Sequence, residues 1–178
     1  MQQAPRILCL LTLATLLAGP GSAWAQKYDL EVLIFQNLDS PSDEMFSQDP
    51  GRVDTTAGGN FPRVGHSLSH TAQALRRSPH YRVLYHHAWR QPGYSPGKAV
   101  PVVVFNDEAA GAGTLEGTIT LNRRRYLHAD VDLWFEDTDT LLPVRLQQSR
   151  RMRSKELHYI DHPRLGVLII AHPVAAGT

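Results

Sequence analysis

The sequence predicts an α+β fold: a largely antiparallel β-sheet with one main helix in an N-terminal βαβ-like unit. Strand-type alternation recurs through most of the chain, helical spacing is confined to one short segment, and the breaks between alternating segments read as hairpin turns. The clearest alternation runs from Thr114 to Glu136. Its odd positions (Leu115, Gly117, Ile119, Leu121, Leu127, Ala129, Val131, Leu133, Phe135) are apolar or small, and its even positions are mostly Thr, Glu, Asn, His and Asp. A single strand of that length would reach about 70 Å at roughly 3.3 Å per residue, so the chain must reverse inside it, between Asn122 and Arg125. Because the odd side stays apolar across the turn, facing residue numbers must have an even sum, which demands a loop with an odd residue count. The expected register puts Arg123, Arg124 and Arg125 in the loop. Leu121 then faces Leu127, Ile119 faces Ala129, Gly117 faces Val131 and Leu115 faces Leu133.

Residues 1–25 are expected to stand outside this fold. Arg6 precedes an apolar run from Ile7 to Ala18, and Gly19-Pro20-Gly21-Ser22-Ala23-Trp24-Ala25 follows. That is the basic n-region, h-region and A-x-A site of a secretory signal peptide, with cleavage expected between Ala25 and Gln26. The apolar run is shorter than the roughly 20 residues a membrane-spanning helix needs. The expected product, residues 26–178, is one soluble exported domain that does not span a membrane. Cys9 is the only cysteine, and it lies in the h-region. The exported part therefore has no disulfide, thiolate metal site or cysteine nucleophile. Without Arg6, its 17 basic residues balance 17 acidic ones. That balance, with no P-loop or zinc-finger pattern, argues against a nucleic-acid partner.

Taken in order, Tyr28 to Phe35 alternates and then becomes an apolar run, as an interior strand does. Residues 36–64 lack periodicity and carry Asp39-Ser40-Pro41-Ser42-Asp43, Asp49-Pro50-Gly51-Arg52 and Gly58-Gly59-Asn60, which predicts a long loop with Met45, Phe46 and Phe61 as anchors. Leu68, Ala72 and Leu75 form a helical stripe with Ser67 as the expected N-cap, and Ser78-Pro79 ends it. Tyr81 to Arg90 is a strand with Tyr81, Val83, Tyr85, His87 and Trp89 on one side, so strand, helix and strand suggest a right-handed βαβ crossover. Gln91-Pro92-Gly93 closes it, and Tyr94 to Lys98 is a loop. Ala99 to Phe105 reads as an edge strand, because Pro101 has no N–H for a central ladder. Asn106 to Gly113 is a small-residue loop. After the hairpin and a turn at Asp137 to Thr140, Leu141 to Ser154 continues as a strand with Leu142, Val144, Leu146 and Met152 on its even side. Glu156 to Ile160 and Leu165 to His172 flank the turn at Asp161 to Arg164, and the second is apolar on both sides, as a central strand is.

The chain carries nine histidines, but no H-E-x-x-H and no compact His/Asp/Glu set. His66 and His70 share helical spacing without a readable third ligand, and they read as a solvated face. His128-x-Asp130-x-Asp132 is the best local metal candidate, yet it reads as ordinary outward-facing alternation, so no metal ligand and no cofactor are assigned. Hydrolase signatures are missing and no catalytic residue is assigned. Cation density stands out instead, at Arg123-Arg124-Arg125-Tyr126 and at Arg150-Arg151-Met152-Arg153. A planar guanidinium matches a carboxylate bidentately, and Tyr126, Trp134 and Tyr159 are available to stack on sugar or peptide. The competing reading makes these arginines solvated turn residues or partners of Glu136, Glu156 and Asp161.

Three blocks carry a resemblance: Tyr81 to Pro92 (YRVLYHHAWRQP), Leu115 to Leu133 with its R-Y-L-H-A-D-V-D-L ending, and Gln148 to Leu168 (QSRRMRSKELHYIDHPRLGVL). Together the sequence resembles the CsiV family of proteobacterial periplasmic proteins. The resemblance implies a non-enzymatic protein of the Gram-negative periplasm that binds peptidoglycan and supports its assembly. It also implies a link to the outer-membrane lipoprotein that activates a bifunctional penicillin-binding protein. No ligand contacts come with the resemblance. The candidate ligand-binding residues are block positions that also fit the chemical reading: Arg125, Tyr126, His128, Arg150, Arg151, Arg153, His158, Tyr159, Asp161 and His162. The alternatives are a protein-only periplasmic adaptor and a metal-assisted cell-wall hydrolase.

Overall fold

The computed structural model describes residues 26–39, 51–107, 111–138 and 143–175. The expected signal peptide and Met45, Phe46, Leu141 and Leu142 lie outside these residues. Among the described residues, eight strands and one α-helix follow in order, with a single 3-10 turn at Pro96–Lys98: β1 (Lys27–Asn37), α1 (Ser69–Arg77), β2 (Tyr81–Pro92), β3 (Val102–Phe105), β4 (Thr114–Arg123), β5 (Leu127–Glu136), β6 (Pro143–Met152), β7 (His158–Asp161) and β8 (Leu165–Pro173). They form two four-stranded sheets with orders β2-β1-β8-β7 and β3-β4-β5-β6. Every strand pair among the described residues is antiparallel, so the α+β class holds. The right-handed crossover does not. Asn37 pairs with Tyr81, so β1 ends where β2 begins, and the intervening chain with α1 returns to the same end of the sheet instead of crossing it.

Alternation explains why the sheets stack. Leu30, Val32 and Ile34 on the even side of β1, with Val167, Ile169 and Ala171 of β8, join Ile119, Leu121, Ala129, Val131, Leu133 and Phe135 in one core. The odd side of β1 looks the other way, where Leu33 meets Val83, Ile170 and the helix residues Leu68 and Ala72. A strand covered on both faces must be apolar on both, which is why β1 and β8 end as apolar runs. The edges β2 and β3 approach each other, as do β6 and β7, so the two sheets close into a sandwich with α1 on one outer face.

Two registers differ from expectation. Ile34 pairs with Tyr85 but Phe35 pairs with Val83, so Leu84 is an inserted bulge residue. Val83 consequently faces α1, while Leu84, Tyr85 and Trp89 face the inter-sheet core. The row from Tyr81 to Trp89 is therefore split between two faces, and since both faces are apolar the hydrophobic pattern carries no mark of the break. In the hairpin, Leu121 pairs with Ala129, Ile119 with Val131, Gly117 with Leu133, Leu115 with Phe135 and Arg123 with Leu127. The parity is as expected, but the pairing is shifted by two residues and the tip is Arg124-Arg125-Tyr126. A two-residue slip leaves every side chain on its own face, so alternation cannot choose between the two registers. The Arg123 N–H donates to the Tyr94 carbonyl at 2.7 Å and the Arg124 N–H to the Tyr126 carbonyl at 3.0 Å, which holds the tip one position later.

The helix start also departs from expectation. Leu68, not Ser67, is the N-cap, and no side chain of the segment caps it. The entry to the helix is held from β1: the N–H groups of Ser67 and Leu68 donate to the Glu31 carboxylate at 2.6 Å and 3.0 Å, and the Ser67 hydroxyl adds a third bond. Burial by itself would raise the Glu31 pKa, but the hydrogen bonds from His86, Ser67 and Leu68 outweigh it and hold the group at about 2, against an ordinary 4.5.

Gly117→Ala tests the hairpin register. An added Cβ would lie 2.8 Å from Leu133 Cα and against the Asp132 carbonyl. Both neighbours are backbone, so urea unfolding should show a loss of about 2–3 kcal/mol. A change within a few tenths would refute the observed pairing. Acid unfolding tests Glu31. Its folded pKa is depressed, so its stabilisation is complete above the unfolded value and is lost as pH falls from about 4.5 towards about 2. That slice should amount to about 3 kcal/mol, and Glu31→Gln should flatten it.

Candidate functional site

The hairpin tip and the end of β6 meet at one corner of the second sheet. Leu127 pairs with Met152, His128 with Arg151 and Ala129 with Arg150, so the two arginine-rich segments separated in sequence become neighbours. Tyr126 stands exposed between them. The guanidinium carbon of Arg151 lies 5.0 Å from its ring centroid and that of Arg125 lies 5.5 Å away, both within cation–π range. His128 Nδ1 is 3.1 Å from the Tyr126 carbonyl, which can only accept, so Nδ1 carries the proton and donates it there. That bond and the Arg124 N–H hold the Tyr126 backbone from two sides.

Strand alternation sorts the remaining arginines. Arg151 shares the outward face with His128, whereas Arg150 points to the opposite face beside Ala129. Arg153 follows the end of β6 at the same corner. Its N–H donates to His158 Nε2 at 3.0 Å, and its guanidinium sits 3.6 Å from Glu156 in a solvent-exposed pair. Among the described residues, no other ion pair involves Arg123, Arg124, Arg125, Arg150, Arg151 or Arg153. A cluster of guanidinium groups with one acid beside it is suited to a ligand that carries carboxylates.

The other candidate residues lie elsewhere. Tyr159 stacks on Phe35 with ring centroids 6.3 Å apart and donates its hydroxyl to Asp161 at 2.7 Å, on the face of the first sheet that carries α1. Burial and the Asp161 carboxylate push its pKa up to about 12, so the phenol stays a donor. His162, in the turn from β7 to β8, accepts the Arg164 N–H at Nδ1. Trp134 is buried beneath Arg52, whose guanidinium lies 4.5 Å from its ring, and is not available for stacking at the corner.

The outward face of β4, β5 and β6 continues from the corner as a polar trough of about 360 Å³, lined by Thr118, Thr120, Asp130, Asp132, Gln147 and Ser149. Its carboxylates are taken up by cross-strand bonds. Asp130 accepts from Asn122 and Ser149 at 2.6 Å and 2.5 Å, and Asp132 accepts a bidentate Arg145 at 2.8 Å on each oxygen. These bonds account for the H-x-D-x-D pattern as ladder pairing. A second hollow, about 270 Å³, sits where β2 meets β3 and is lined by Asn60, Phe61, Arg63, Tyr85, Trp89 and Phe105. Sequence reasoning missed it, because no pattern links the residues of its three segments. His66 and His70 read from the sequence as one solvated face, and His70 is exposed. His66 turns to His86, with Nδ1 of the one 3.1 Å from Nε2 of the other.

Residues 59–174 match the family described as "Peptidoglycan-binding protein, CsiV". The chain belongs to the CsiV family. No curated protein and no solved structure matches it. The CsiV segment holds the whole arginine corner, α1 and every strand from β2 to β8, while β1, the strand between β2 and β8, precedes it. No helix among the described residues is long and apolar enough to cross a membrane.

Proposed function

We propose that this CsiV-family chain is a non-enzymatic periplasmic protein that binds peptidoglycan through the corner built by Arg125, Tyr126, His128 and Arg151. In this reading it supports wall assembly together with the outer-membrane lipoprotein that activates a bifunctional penicillin-binding protein. The observation that carries the binding site is the exposed Tyr126 ring flanked by two guanidinium groups. Peptidoglycan offers carboxylates on its stem peptides and apolar faces on its sugar rings, and the corner presents the complement of each. The trough beyond it lines up hydroxyl, amide and carboxylate groups beside the same corner, which suits a glycan strand rich in hydroxyls. Periplasmic placement rests on the secretory signal expected at residues 1–25.

Co-sedimentation with purified sacculi tests the site. Each charge-assisted hydrogen bond to a carboxylate is worth about 1.5–3 kcal/mol, so Arg125→Ala with Arg151→Ala should weaken binding by roughly tenfold or more. Tyr126→Ala should weaken it as well, and Arg77→Ala on α1 should not. Wild-type protein left in the supernatant would rule out direct wall binding. If the lipoprotein activator is captured equally well without glycan, the role becomes that of a protein-only adaptor.

A further inference from the structure

One cluster of ligating side chains takes no part in the wall-binding site. Glu31 of β1, His86 of β2 and His66 of the segment before α1 each bring one ligand atom to within 4.8 Å of the other two. His86 Nε2 lies 2.7 Å from Glu31 Oε1 and 3.1 Å from His66 Nδ1, and His66 Nδ1 lies 3.8 Å from Glu31 Oε1. Nitrogen and oxygen ligands about 2.0–2.1 Å from a tetrahedral zinc ion stand roughly 3.3 Å from one another, and the three separations bracket that value.

The proton count in the metal-free cluster is poor. A neutral imidazole has one N–H and one lone pair, and the bond to Glu31 uses the His86 Nε2 proton. The two rings meet nearly perpendicular, at 86° with centroids 4.3 Å apart, and His66 Nδ1 lies 3.4 Å from His86 Nδ1 as well as 3.1 Å from Nε2, so it rests against the side of the His86 ring. A turn of the partly exposed His66 ring brings its Nδ1 round to the side on which His86 Nε2 faces Glu31 Oε1, where one cation satisfies all three atoms. The surroundings are those of a built site. The side chains of Glu31 and His86 are only 3% and 5% exposed. Bonds from Ser67 hold the far oxygen of the carboxylate and the Leu68 N–H holds the near one, which orients Oε1 as an outer shell does for a metal ligand. The His66 side chain is 32% exposed and leaves one side open to water.

We infer that Glu31 Oε1, His66 Nδ1 and His86 Nε2 bind a divalent transition-metal ion of the zinc class, with water as the fourth ligand. A mixed nitrogen and oxygen set selects this class over magnesium and calcium, which take oxygen ligands. Binding moves the proton of the neutral His86 from Nε2 to Nδ1, so that Nε2 offers its lone pair with no net proton released, and it leaves the carboxylate ionised. The ion ties the segment before α1 to β1 and β2, the place where the helix is anchored to the sheet.

The test uses the purified full chain stripped with chelator and then given Zn²⁺ or Co²⁺. One ion per chain is expected, with a thermal midpoint raised by several degrees by Zn²⁺ and with the intense visible bands of tetrahedral Co²⁺. His66→Ala should abolish all three signals, because His66 is partly exposed and its loss leaves the Glu31 bonds to Ser67 and Leu68 in place. His66→Cys should restore binding through a thiolate, and His70→Ala should change nothing. If wild type holds no stoichiometric metal, or if His66→Ala binds and shifts as wild type does, the site is refuted. Should His66→Ala unfold, His66→Cys still decides: a folded variant without metal also refutes it.

Discussion

The buried Glu31 carboxylate is the interaction on which the placement of α1 depends. The first N–H groups of a helix have no partner within it, and the residues ahead of α1 supply no side-chain cap. A carboxylate from the middle of β1 instead fixes the chain entering the helix, through the N–H groups of Ser67 and of the N-cap Leu68, and His86 from the neighbouring strand completes its shell. A buried charge is costly unless it is paired and hydrogen-bonded, and here each oxygen has partners. Glu31 also positions Leu68 and Ala72 over Leu33, Val83 and Ile170, which forms the smaller of the two apolar clusters.

A second buried charge holds the opposite region together. Arg164, ahead of β8, pairs with Asp137, after β5, at 2.8 Å, and Gln36 of β1 donates to the same carboxylate oxygen. The two sheets are thus joined by an ion pair as well as by the core between them. Both devices leave the far end of the hairpin unburdened. The arginines gathered there by the pairing of β5 with β6 are exposed, and only Arg153 has an acid beside it among the described residues. The division of labour is physical: buried acids organise the fold, and exposed cations face the medium.

Much of this was legible in the chain. The alternation from Thr114 to Glu136 assigned the inward faces of β4 and β5 correctly, and Pro101 marked β3 as an edge strand, as the sheet order confirms. Apolarity on both sides of Val167 to Ala171 marked β8 as central. The arginine-rich blocks pointed to the corner where Tyr126 and Arg151 meet. Arg150 and Tyr159 were grouped with them by nearness in sequence, and the structure separates them, because neighbours along a strand point to opposite faces and β7 belongs to the other sheet.

The sequence by itself determined which side of β4, β5 and β6 is buried, since alternation is a local property and survives any even shift of register. It also set where arginine is dense and where the helix lies. Only the tertiary structure decided the hairpin register, the bulge at Leu84, the return of α1 to its starting end and the meeting of Glu31 with His66 and His86. Each of these depends on contacts between residues far apart in the chain, where several pairings bury the same apolar side chains and packing selects one.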